Sequence, residues 1–231
     1  KIVDIGPYNK PVIGVIEYVR DCAAAYSMAL EWYVEGDKAY AEKAIEIFNA
    51  WAQTLESVVN HNRQLKVGTA GIKHLNAAEI IKHTYKGWNA KNRKAFEDMV
   101  INIWYPVIKD WTPRYNGNWD AANGQTLMCI GIFLDRRDIF DTACKQLTDG
   151  NTNGAIKNYF YESGQCQESG RDQQHVQMGL AFLACAAEIA WNQDIDLYGV
   201  FDNRLYKGFE YTARYMSGEE VPHVQYITWC G

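Results

Sequence analysis

Residues 16–55 read IEYVRDCAAAYSMALEWYVEGDKAYAEKAIEIFNAWAQTL, and the Gly36-Asp37 pair in the middle decides the fold. Apolar residues recur at helical spacing on both sides of it. Gly36 is the residue type that ends a helix in a left-handed turn, and Asp37 is one that caps the next. The stretch predicts two antiparallel helices, over 16–34 and 38–55, joined by a tight turn. The same punctuation recurs every ~15 to 25 residues along the chain, with few alternating stretches that would mark strands. Further helices are expected over 73–85, 91–109, 120–134, 137–147, 171–191 and 203–216, with a polar loop over 60–71 and a long one over 150–170. Loops of that length inside a helical domain usually carry function.

Paired helices with turns of unequal length predict an all-α chain, an (α/α) toroid of antiparallel hairpins forming one domain over residues 1–231. No strict repeat is legible, so bundle and solenoid arrangements stay open. Four hairpins are fewer than a closed ring needs, so the toroid is expected to be incomplete and the domain a portion of a longer catalytic domain. The chain opens on Lys1 without a signal-type segment and ends on Tyr226-Ile-Thr-Trp-Cys-Gly231 without a polar tail, as a trimmed chain would.

Composition narrows the function. The 231 residues are 48% apolar and 22% charged with a net charge of -5, which suits a folded globular protein and lacks the concentrated basic surface that nucleic acid requires. No apolar run is long enough to span a bilayer. The six cysteines, Cys22, Cys129, Cys144, Cys166, Cys185 and Cys230, form no Cys-x-x-Cys pair, which argues against structural zinc. Eight Trp and fifteen Tyr suit a groove in which sugar faces lie on rings, and suit buried helix packing equally.

The segment 167–180, QESGRDQQHVQMGL, concentrates chemistry. Glu168, Arg171 and His175 stand at i, i+3 and i+7, so a helix through them would present all three on one face, with an apolar run from Val176 to Ile189 entering the core. The same residues also read as a capped helix start with a solvated charged turn.

These segments together resemble the alginate-lyase-type polysaccharide lyases. The resemblance is carried by the run Gly36 to Glu46 with Asn49-Ala50-Trp51, by Asn118-Trp119-Asp120, by Asp135-Arg136-Arg137-Asp138-Ile139-Phe140-Asp141, and by Glu168-Ser169-Gly170-Arg171-Asp172 with His175. The family consists of (α/α)-toroid enzymes, and the resemblance implies β-elimination on an acidic polysaccharide of alginate or glucuronan type, outside the cytoplasm in the periplasm or secreted. Of the family's catalytic residues, Asn118 matches the asparagine and Arg171 the arginine. Trp119 stands where the family's histidine would be, and Met178 where its helix tyrosine would be. The resemblance is therefore to a branch that takes its histidine from the Arg-Asp-x-x-His segment, His175, and its tyrosine from elsewhere, Tyr226. Glu168, Trp119, Asn123 and Gln125 complete the implied substrate-binding set. No metal or cofactor is called for.

Elimination removes the C5 proton of a uronate, which is weakly acidic while the neighbouring carboxylate keeps its charge. Donors aimed at that carboxylate, each worth about 3 kcal/mol, stabilise the dianion as it forms, a role that suits Asn118, Arg171 and a protonated Glu168. A tyrosine tuned by a nearby cation or His175, or His175 itself, then moves the proton. Each residue has an inert alternative: Asn118 a helix cap, Arg171 with Asp172 a surface ion pair, His175 a structural histidine, Tyr226 packing near a chain end, Asn123 and Gln125 polar residues at a helix start. Two other functions compete. An inverting glycoside hydrolase would pair Asp120 with Glu168 or Asp172, and a saccharide-binding protein would need the aromatic groove alone.

Overall fold

The computed structural model describes residues 1–6, 11–111 and 115–226. Residues 112–114 of the loop before the fifth expected helix, Cys230 and the rest of 227–231 lie outside them. The described chain is almost wholly helical, as expected, with a short parallel pair of strands, β1 (Ile2–Asp4) and β2 (Ser57–Val59). It groups into two compact units, Lys1–Asp110 with Cys129–Arg137, and Trp111–Met128 with Asp138–Gly231.

In the first unit, α1 (Val15–Glu35) and α2 (Lys38–Thr54) form the expected hairpin. Gly36 takes φ 73° and returns its N–H to Trp32 O, and the Asp37 carboxylate accepts from Ala39 N–H at 2.9 Å. The expected loop over 60–71 is instead mostly helix, because α3 runs from Arg63 to Thr84. Its buried face includes Gly68, Ala70, Gly71, Ala77 and Ala78, small residues that let α3 lie close to α1. Glycine inside a helix costs about 1 kcal/mol relative to alanine, so the spacing there reads as loop until packing supplies the difference.

The expected helix 91–109 is α4 (Ala90–Met99), a π-helical turn (Val100–Trp104) and α5 (Tyr105–Ile108). Pro106 has no N–H to continue the ladder, and a widened turn just before it accommodates the break. Phe48, Phe96 and Trp104 surround the fully buried His74, whose pKa burial pushes down to about 3; its Nδ1 lies 3.2 Å from Cys22 Sγ. His74 is thus a neutral core residue.

The second unit holds α7 (Arg137–Asp149), α8 (Ile156–Tyr159), α9 (Gln173–Trp191) and α10 (Val200–Met216), and begins with the first part of α6 (Gly117–Phe133). The 150–170 loop contains α8 and an antiparallel bridge between Phe160 and Cys166. Tyr159 and Phe160, edge to face at 4.8 Å, organise this unit. A β-carbon on Gly179 of α9 would meet the Tyr159 hydroxyl at 1.9 Å, and one on Gly117 of α6 the Tyr159 ring at 2.5 Å; one on Gly208 of α10 would meet the Phe160 ring at 2.5 Å. Three helices thus approach two aromatic rings where their own side chains are missing.

Two expected helix starts move. α9 begins at Gln173 because Asp172 is extended (φ -164°, ψ 155°), so Glu168 and Arg171 precede the helix. In α10, Phe201, Asp202 and Asn203 have φ between 51° and 57°, a left-handed turn before the right-handed helix. The described cysteines are free thiols, Cys22, Cys129, Cys144 and Cys166 buried and Cys185 partly so.

Overpacking at the Tyr159 contact gives a direct test. Gly179→Ala should lower unfolding stability by about 1–3 kcal/mol, and Tyr159→Phe in the same chain should restore part of the loss by removing the colliding oxygen. Denaturant unfolding of the single and double variants measures both; unchanged stability in Gly179→Ala would contradict the packing.

Candidate active site

All the candidate site residues named from the sequence fall in the second unit. The turn leading into α9 is built by successive backbone bonds: Ser169 N–H to Cys166 O at 3.0 Å and Arg171 N–H to Glu168 O at 2.9 Å. Two further bonds anchor it from behind, Gln167 N–H to Tyr159 O at 3.0 Å and Gly117 N–H to Gln167 Oε1 at 2.5 Å. This geometry turns Glu168 inward, to 0% exposure, and leaves the Arg171 side chain half exposed.

The expected single helical face is therefore replaced by a turn and a cap, yet the same side chains converge. Arg171 Nη1 lies 3.4 Å from Glu168 Oε2, and Arg171 Nε lies 3.6 Å from Asp172 Oδ2. Asp172 caps α9 by accepting from His175 N–H at 2.8 Å, and both its oxygens lie 2.8 Å from His175 Nδ1. The His175 backbone N–H, then its ring, then the Arg171 charge hold the Asp172 carboxyl below its ordinary value. An ionised Asp172 fixes the imidazole with Nδ1–H donating, which leaves Nε2 as the ring's acceptor nitrogen. The capped-helix reading and the site reading describe the same atoms.

The α6 residues are more deeply placed. Asn118, 1% exposed, is the second residue of the helix, and its Oδ1 has no hydrogen-bond partner, so it does not act as a cap. Asn123 is fully buried with both amide atoms unpartnered, and Gln125 is buried as well. Thr152 Oγ1, Gln167 Nε2 and Glu168 Oε1 are also buried without partners. Buried polar groups are ordinarily paired, so these residues give the unit a polar interior. Trp119 is partly exposed and stacks on Tyr115 at 4.3 Å and 16°.

Tyr226 packs against Tyr161, with ring centroids 4.9 Å apart. Burial, reinforced by Tyr161 and Cys166, raises its pKa, the reverse of the tuning by a cation or histidine expected for a phenolate base. Its ring partner is Tyr161, and neither Arg171 nor His175 contributes to the shift. Sequence reasoning missed the orienting role of Asp172 and the anchor Gln167. An Asp three residues before His at a helix start was the available signal for the first; nothing local signalled the second, whose partner is 50 residues away. Among the described residues no group of three His, Cys, Asp or Glu side chains is placed to hold a metal ion.

The cap gives a signed pH prediction. Because the Asp172 pKa is lowered on folding, its contribution is complete above the ordinary value of 3.8 and is lost only as pH falls through the lower folded value. Amide exchange at His175 should stay protected from neutral pH down to the ordinary carboxylate range and be lost at every pH in Asp172→Ala. Equal protection in the variant would refute the cap.

A family model described as alginate lyase matches residues 16–222. Two solved structures of alginate lyase A1-III complexed with tetrasaccharide, one a histidine-to-alanine and one a tyrosine-to-phenylalanine variant, superpose with TM-scores of 0.72 and 0.71 at 15% and 16% identity. They cover 93% and 92% of this chain, which spans 62% of each of theirs. The likeness shows a shared fold, the all-α helical-toroid class expected from the sequence. No curated protein sequence matches. With nearly its whole length inside the family match, the chain belongs to the alginate lyase family.

Proposed function

We propose that the protein is a polysaccharide lyase that cleaves a uronic-acid-containing polysaccharide, of alginate or glucuronan type, by β-elimination without a metal. The observation that carries the proposal is the half-exposed Arg171 guanidinium, steadied by the buried Glu168 and by Asp172, beside a histidine whose ring Asp172 orients. Family membership and the tetrasaccharide bound by alginate lyase A1-III support the substrate class.

In this reading Arg171 pairs with the uronate carboxylate and offsets its charge. His175 Nε2 takes the C5 proton, the C4–C5 double bond forms, and the C4–O4 bond breaks. Tyr226, kept protonated by its surroundings, gives its proton to the departing O4. Asn118, beside the Gly117–Gln167 bond, supplies an amide at the buried end of the site, and Glu168 sets the position of Arg171. Trp119, on its Tyr115 platform, offers a ring face to the sugar chain, while Asn123 and Gln125 support the polar interior behind it. A polymer of this kind is too large to cross a cytoplasmic membrane, so a periplasmic or secreted location goes with the proposal; among the described residues no helix is long and apolar enough to cross a membrane.

The hydrolase alternative needs two carboxylates open to a water across a groove. Glu168 and Asp120 are both 0% exposed and Asp172 is engaged by His175, which favours elimination.

Incubation with alginate, glucuronan and neutral glycans tests the reading. Growth of the ultraviolet absorbance of an unsaturated uronate on an acidic polymer is expected; new reducing ends without absorbance would contradict it. His175→Ala should lower kcat by about 10²–10⁴-fold and Arg171→Ala by about 10²–10³-fold, with the fold intact by circular dichroism.

A further inference from the structure

Beside the turn that carries Arg171 opens a cavity of about 490 Å³, and His223 lines it together with Ser169 and Gln173. We propose that His223 is a second recognition residue for the acidic polymer, its imidazole N–H donating to the carboxylate of the uronate next to the one held by Arg171. The proposal rests on the lyase reading for the uronate at Arg171. A β-carbon on Gly170, the residue before Arg171, would lie 3.3 Å from His223 Nε2. The missing side chain lets the imidazole edge lie against the exposed backbone of the turn, one residue from Arg171.

The backbone around His223 is fastened on both sides. Tyr211 OH donates to Pro222 O at 2.8 Å, and Tyr161 OH donates to Gln225 O at 3.3 Å. Between them the Gln165 side chain donates to Val224 O at 2.5 Å and accepts from Val224 N–H at 2.9 Å. The His223 ring is exposed, and no hydrogen bond or ion pair engages it among the described residues. Four bonds thus hold in place a side chain that none of them uses, and such preorganisation lowers the ordering cost of a ligand contact.

Position assigns the ring to a neighbouring sugar unit rather than to the C5 proton. Gln173 of α9 lines the cavity, whereas His175, two positions on and so turned about 200° round the helix, does not. The two imidazoles serve different parts of a bound chain. Charge agrees with a carboxylate at His223. Of the described lining residues it alone can carry a positive charge, and an imidazole keeps an N–H donor in either protonation state. Glu219 is offset by Arg214 at 2.9 Å, and Glu220 is exposed, where solvent and salt screen it. Donation to an ionised acceptor is the stronger kind of hydrogen bond.

Calorimetric titration tests this without depending on turnover, with His175→Ala as the parent chain so that no ligand is consumed. The probes are tetrasaccharides of mannuronan and of glucuronan, and cellotetraose, which has the glucuronan backbone without its carboxylates. His223→Ala should weaken the acidic tetrasaccharide that binds by about three- to tenfold and leave cellotetraose unchanged. His223→Gln, which keeps a donor, should restore part of the loss. Because the two residues hold different carboxylates, His223→Ala should cost a like factor in Arg171→Lys, whose own contact is weakened but not lost. Unchanged affinity in His223→Ala, an equal loss with cellotetraose, no added loss in Arg171→Lys, or failure of both acidic tetrasaccharides to bind the parent would each overturn the role of His223. Selective loss of acidic binding, with no unsaturated-uronate absorbance from the natural protein on any acidic polymer, would leave that role standing and sink the lyase reading; absorbance growth with His223→Ala at parental affinity would do the reverse.

Discussion

The site depends on one carboxylate. Asp172 closes the N-terminus of α9 through the His175 N–H, holds the His175 ring through Nδ1, and draws the Arg171 side chain toward itself. The helix end supplies orphan N–H groups that favour an anion, so the charge that stabilises the helix start also orders the two side chains. Remove it and the imidazole loses its tautomer and its direction together, while the guanidinium keeps only the longer 3.4 Å contact with Glu168.

What places Asp172 is the packing behind it. The Tyr159–Phe160 pair is gripped by glycine gaps on α6, α9 and α10, and the chain leaves that grip directly into the turn that carries Gln167 and Glu168. The Gly117–Gln167 bond ties the first turn of α6, and so Asn118, to the same turn. Buried polar side chains gather in this unit, among them Asn118, Asn123, Gln167 and Glu168. Rigid packing and a polar interior are what electrostatic catalysis needs: dipoles that are already aimed before charge develops.

Much of this was legible in the residues. The Gly36-Asp37 hairpin and the helical class follow from local signals whose physics is local. The convergence of Glu168, Arg171 and His175 was also legible, but for the wrong geometric reason. A helical face was expected where a turn and a cap stand, since Asp172 fits the charged turn and the cap equally well as a sequence. The start of α3 was hidden because its buried face has only Val67 among Gly68, Ala70 and Gly71, too weak an apolar signal to mark a helix. The Gln167 anchor depends on a partner far along the chain, which spacing alone does not reveal. Tyr226 was expected beside a cation or histidine that would lower its pKa, and lies instead against Tyr161 with its pKa raised by burial.

The central claim is that Arg171 acts by discharging the substrate carboxylate. The most direct measurement compares kcat/KM on a uronate oligosaccharide with that on its methyl ester, in the natural protein and in Arg171→Ala. The account predicts a strong preference for the free acid that collapses in the variant, because the ester needs no counter-charge. A preference that survives loss of the guanidinium would contradict it.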